Sequence, residues 1–188
     1  MSIITTALPD CLTVSGKECK IKTDFKTWLK FSEIISGGIE SITDTAPLFC
    51  LVFEEIPPNF YEGLSAMFEF YTHNAKTTAD SSSDKSRKNV FDFDYDGNLI
   101  YAAFLQQYNI DLCNANMHWW QFKSLFDSLS EETQFIKVVQ YRMIDLSKIK
   151  DKEQKKFYRK MKSAYALPDK RSEKQKESDM NEVLSGFF

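Results

Sequence analysis

The sequence predicts a mainly α, compact helical domain with a small N-terminal β-hairpin. Three observations predict it. Gly and Pro are scarce, at 6 and 5 among 188 residues. Apolar residues recur at spacings of three and four along most of the chain. Two β-prone tetrapeptides stand together near the start, joined by a short stretch containing a glycine. A chain of this length buries one core without metal or disulfide staples. One domain is therefore expected over residues 1–168, followed by a polar C-terminal tail over 169–188 that ends in an apolar hook.

The hairpin is read from Cys11–Val14 and Cys19–Lys22, with Ser15-Gly16-Lys17-Glu18 as the turn. Centring that turn sets Val14 opposite Cys19 and Cys11 opposite Lys22, so the two cysteines are not cross-strand partners and no disulfide is expected between them. Thr23 or Asp24 can cap the next helix through a side-chain oxygen, with Phe25, Trp28, Leu29 and Ile35 on one face and Gly37-Gly38 as its end. The apolar segment from Ile42 to Phe53 fits strand or helix by periodicity, and its length favours helix. After Pro57-Pro58, Asn59 is positioned to cap a helix carrying Phe60, Leu64, Met67, Phe68 and Tyr71.

Residues 75–90 are almost free of apolar side chains and are read as a mobile linker, because they have no surface to offset the entropy of ordering. Beyond them, Leu99–Tyr108 is apolar nearly all round, which predicts a central buried helix, capped by Asp94 or Asp96. Asn114 or Asn116 then precedes a helix with Trp119, Phe122, Phe126 and Leu129. Ser130 with Glu131-Glu132 opens another, bearing Phe135, Val138 and Val139. A last long helix is expected from Lys150 to Ala166, ending before Pro168, with Phe157, Met161, Ala164 and Tyr165 as its apolar seam.

Composition narrows function. The longest apolar runs, such as Leu48–Phe53, fall far short of the roughly 20 residues a membrane-spanning helix needs. Met1–Pro9 lacks the basic patch and apolar stretch of a secretory signal, so a soluble cytoplasmic protein is expected. Cys11, Cys19, Cys50 and Cys113 form no CxxC pair and are expected as free, buried or half-buried thiols. Net charge is −3, yet twelve of the 24 Lys and Arg lie between Lys148 and Lys176. The body is acidic and the end is basic.

Each chemically suggestive feature has a plainer explanation. His118 beside Trp119 and Trp120 is the best-placed acid or base near neutral pH, but no motif supplies its partner, and paired tryptophans usually lock helices together with the indole N–H on a buried acceptor. Asp92, Asp94, Asp96 and Gly97 look like the start of a calcium loop. The glutamate that closes such loops is missing, since Ala103 stands there and Phe91–Tyr108 holds no Glu, so capping is the better use of these acids. The lysine-rich helix over 150–162 fits a solvated face, a surface for an acidic partner, or a phosphate-binding face, in that order. No glycine-rich phosphate loop, nucleophile elbow or metal cluster is visible, so no enzyme activity and no cofactor are expected.

Three stretches carry a resemblance: Leu99-Ile-Tyr-Ala-Ala-Phe-Leu-Gln-Gln-Tyr108, His118-Trp-Trp-Gln-Phe-Lys-Ser-Leu-Phe126, and Ile144-Asp-Leu-Ser-Lys-Ile-Lys-Asp-Lys152 followed by Tyr165-Ala-Leu-Pro168. In this order they resemble the phage family named for gene product fifteen, encoded in tail modules of siphophages and prophages of Gram-positive hosts. The opening hairpin and Thr23-Asp-Phe-Lys-Thr-Trp28 also look like that family. The resemblance implies a tail-assembly chaperone in the host cytoplasm that binds the tape measure protein and is released as tail tube protein polymerises around it. Self-association is left open. The alternatives are a structural or tail-completion protein retained in the virion and, more weakly, a nucleic-acid-binding module using the basic helix.

Two groups of residues are the candidate partner contacts. Lys155, Lys156, Arg159 and Lys160 crowd the last helix. Val183, Leu184, Phe187 and Phe188 are apolar residues on a tail that has no core of its own, so they are expected to dock on the domain, a sister subunit or a client.

Overall fold

The computed structural model describes residues 4–39, 41–73 and 90–168. Along these, the elements run β1 (Cys11–Val14), β2 (Lys17–Lys20), α1 (Phe25–Ser36), a 3-10 turn (Ile42–Thr45), α2 (Ala46–Val52), α3 (Phe60–Thr72), α4 (Gly97–Tyr108), α5 (Trp119–Asp127), α6 (Gln134–Met143) and α7 (Lys152–Ala164). The fold class is the expected one. The linker expected at 75–90 and the tail at 169–188 lie outside the described residues except for Val90, which is half-buried and lends its carbonyl to Arg142.

The hairpin turn is tighter than the sequence suggested. Cys11 pairs with Lys20 and Val14 with Lys17, leaving Ser15-Gly16 as a two-residue turn. Both turn residues have positive φ, 49° and 76°, which is the primed geometry that matches strand twist. Ser15 holds this backbone state with help from α3, since its N–H and Oγ both donate to Glu62 Oε2, at 2.6 and 2.9 Å. The register therefore differs by two residues from the expected one, so every side chain keeps its face and Cys11 and Cys19 still point to opposite sides. Leu12, Val14 and Cys19 face the core. Cys50 and Cys113 are exposed, contrary to the expectation of buried or half-buried thiols.

Capping follows local chemistry. Asp24 accepts from the Thr27 N–H and Asn59 from the Glu62 N–H, as read from sequence. Three other caps are corrected. Neither Asn114 nor Asn116 caps α5: Asn114 donates to Asp111, and His118 is the cap, its Nδ1 accepting the Trp120 N–H at 3.1 Å. Thr133, not Ser130, caps α6. Neither Asp94 nor Asp96 gives α4 a side-chain cap, because the Asp96 carboxylate is held by Arg142. The segment from Ile42 to Phe53 is helical as expected, the 3-10 turn running straight into α2, with Phe53 leaving in extended form to bridge Ile21.

The caps of α1 and α5 are themselves joined. Asp24 and His118 form an isolated antiparallel bridge in which Phe25 N–H donates to Met117 O and Trp119 N–H to Thr23 O. The two helices start side by side and pack along their apolar faces. Around them the core is aromatic: Tyr71 stacks on Trp119, which meets Phe122, and Phe122 stacks on Phe25 and Phe104 with interplanar angles of 11° and 6°. Each of the three tryptophans donates its indole N–H to a backbone carbonyl, Trp28 to Lys22, Trp119 to Tyr71 and Trp120 to Phe70, each at 2.9 Å. These rings join residues 25–73 to residues 91–126.

Two helices depart from expectation. α4 is buried on one side, by Ile100, Ala103 and Phe104, while Ala102 and Leu105 are exposed, so it is a surface helix and not a central one. α7 contains no buried residue. Its inner seam is Tyr158, Met161 and Tyr165 with Lys155 and Lys162, while Phe157 is 49% exposed and Ala164 also faces outward. Tyrosine and lysine cover apolar surface with their stems and keep their polar ends in water, which an apolar seam read from sequence passes over.

Candidate partner-binding surface

α6 and α7 form a layer on the outside of the aromatic core, and Arg142 in the last turn of α6 holds that layer in place. Its guanidinium forms a two-pronged pair with Asp96, at 2.6 and 2.8 Å, and also donates to the carbonyls of Val90 and Tyr165. The pair is almost fully buried, Arg142 6% and Asp96 1% exposed. A planar fork with several donors suits this task and an ammonium does not. One side chain thus ties together Val90, the start of α4 and the end of α7. Tyr141 adds ring contacts to Phe157, Tyr158 and Tyr165, and Lys162 Nζ donates to Ile144 O.

Next to Arg142 a groove of about 820 Å³ opens between α1 and residues 90–94, with Met143 also in its lining. Its floor is apolar, from Leu29, Ile35, Phe91 and Phe93, and its rim is charged, from Lys30, Glu33, Asp92 and Asp94. Asp92 turns its carboxylate to the N–H groups of Asp94 and Tyr95, shaping the loop that would have been the calcium site. Glu33 and Asp94 are exposed, and Met143 is 63% exposed. An apolar floor with a charged rim is the usual anatomy of a surface that binds a protein reversibly.

The cationic residues singled out from the sequence lie on α7, whose C-terminal end is tied to the groove wall through Arg142. Lys156, Arg159 and Lys160 are exposed on the outer face of α7, and Lys155 is half-buried at its edge. Among the described residues none of the four lies within ion-pair distance of a carboxylate. Val183, Leu184, Phe187 and Phe188 lie outside the described residues. The sequence reading missed Arg142 and the groove. A lone arginine amid Tyr141, Met143 and Ile144 was the available signal, but its partner is 46 residues away.

His118 is committed to structure. Nδ1 caps α5, Nε2 lies 3.0 Å from Pro9 O, and the ring meets Phe70 and Trp120 edge-on. Burial lowers its pKa below the ordinary histidine value, against the opposing pull of the Pro9 carbonyl. His73, stacked on Trp120 at 3.6 Å, is lowered as well, by burial first and then by nearby positive charge, including His118 and Lys123.

A model of the bacteriophage Gp15 protein family matches residues 4–167. The chain belongs to that family. The match spans the hairpin, all seven described helices and the Arg142 junction, so the groove and α7 are part of the Gp15 domain and not an appendage to it. No curated protein and no solved structure matches the chain. Among the described residues no helix is long and apolar enough to cross a membrane.

Proposed function

We propose that this Gp15 protein is a tail-assembly chaperone of the host cytoplasm that shields helical segments of the tape measure protein and gives them up as tail tube protein polymerises. The observation that carries this reading is the groove between α1 and residues 90–94. Its apolar floor takes the apolar stripe of a client helix, and its charged rim keeps the contact shallow enough for release. Phage family membership supports the setting. The surface described needs no cofactor, and a holding role needs no catalytic step.

Co-expression with the tape measure protein is the test. The pair is expected to co-purify as a soluble complex, and Met143→Asp, which places a charge in the groove lining at a side chain that is 63% exposed, is expected to weaken capture of the client while the chain still folds. Mass spectrometry of finished particles should find the protein scarce or absent. Retention in purified virions, or capture of tail tube protein with no tape measure protein, would sink the chaperone reading in favour of a structural tail component.

A further inference from the structure

The groove lies next to the C-terminal end of α7. Met143 lines the groove and immediately follows Arg142, whose guanidinium touches the carbonyl of Val90 on the groove wall and the carbonyl of Tyr165 at the end of α7. The two parts are complementary. The groove is concave with three carboxylates against one ammonium, from Glu33, Asp92, Asp94 and Lys30. The outer face of α7 is basic on balance, carrying Lys152, Lys156, Arg159 and Lys160 against Glu153, with Phe157 49% exposed among them.

We infer that, in the absence of client, two copies of this chain form a closed dimer in which the outer face of each α7 lies in the groove of the other. A surface that carries both halves of a complementary contact side by side closes on itself about a two-fold axis, with each contact made twice. Phe157 supplies the apolar anchor for a floor of Leu29, Ile35 and Phe93, and the lysines meet Glu33 and Asp94 at the rim. The amphipathic helix in an apolar groove is the same mode of binding assigned to the client. The inference therefore deepens the proposed function: self-docking covers the groove until a client helix replaces α7. It is tested on client-free protein, so the dimer and the client can fail separately.

The experiment is a charge exchange read by light scattering after size exclusion and by sedimentation velocity. At low salt the unaltered chain is expected at twice its 21.9 kDa mass. Added salt should lower the dimer fraction, because exposed charge pairs are screened. One variant carries Lys156→Glu with Lys160→Glu, the other Glu33→Lys with Asp94→Lys, all at exposed positions. Each alone sets like charges against each other in both contacts and is expected to dimerise roughly tenfold or more weakly. Mixed together, each altered surface meets its altered complement, and the dimer mass should return. A monomeric unaltered chain, a dimer indifferent to both variants, or a mixture that stays monomeric overturns the inference. So does a monomer whose α7 variant loses salt-dependent retention on DNA, since that outcome makes α7 a phosphate-binding face.

Discussion

Trp119 and Tyr158 are both aromatic residues on amphipathic helices, and they live under different rules. Trp119 is 2% exposed, between Tyr71 and Phe122, with its indole N–H on a carbonyl. Tyr158 is half-buried on a helix with no buried residue, against Tyr141 on α6 and its own neighbour Phe157. The core around α1, α3 and α5 is held by apolar area, many small contacts that fail together. α6 shares that core through Phe135, but α7 is held against it by Arg142 on the Tyr165 carbonyl, a tyrosine cluster and a lysine on a carbonyl, few contacts that can fail singly. The difference has a consequence for stability: the first region sets whether the chain folds, while α7 can loosen with the rest still folded.

The sharpest way to break this comparison is to remove one ring from each region. Phe122 touches Phe25, Phe93, Phe104, Trp119 and Phe126. Phe122→Ala should lower global stability by about 3–5 kcal/mol in urea unfolding, with all probes moving together. A small local effect would mean that the aromatic stack is not one cooperative unit.

Arg142→Ala comes next. It strands the Asp96 carboxylate in a buried site and should cost about 3 kcal/mol. Hydrogen exchange should show its local signature, with amides of α7 and residues 90–96 losing protection well before those of α1 and α5. If α7 and the core instead lose protection together, the layer is not separable and the comparison fails.

The smallest effect is on pH, and it belongs to the core. Burial lowers the pKa of His118 and of His73 below the ordinary value of about 6.5. Above that value both states are neutral and stability does not depend on these groups. As pH falls through it, the unfolded chain takes up protons that the folded chain resists, so stability declines until the folded pKa values are passed. Tm should therefore be a few degrees lower at pH 5.5 than at pH 7.5. His118→Asn keeps a capping oxygen but gives up the ring contacts to Phe70 and Trp120 and one titrating group, so it should lower Tm at pH 7.5 and shrink the difference between the two pH values. An unchanged difference would remove His118 from the account.

Much of the core was legible because its signals are local. Asp24 and Asn59 are short oxygen-bearing side chains directly ahead of apolar periodic segments, and both cap. Phe25, Trp28 and Phe122 recur at helical spacing, and all are buried. His118 was weighed as chemistry and as core, not as a cap, because imidazole seldom fills that place. α4 was misjudged because composition says how apolar a helix is and not which side meets neighbours; Leu105 is apolar and exposed. The α7 seam was misplaced because Tyr158 and Lys155 bury stems while Phe157 does not. The groove was illegible for a simpler reason: it exists only where α1, residues 90–94 and Met143 meet, and the Arg142–Asp96 pair that fixes them spans 46 residues.

The bridge between Asp24 and His118 has a consequence for how the chain is made. α1 emerges from the ribosome long before its neighbour, and Trp28 and Phe31 are both 0% exposed in the finished protein. Until Met117 and Trp119 arrive, the N–H of Phe25 and the carbonyl of Thr23 lack their partners and the stacking surface of Phe25 is bare. At about 5–20 residues per second the wait lasts several seconds. A nascent chain cut short before α5 should therefore be held by the cell's own folding helpers or be lost to aggregation.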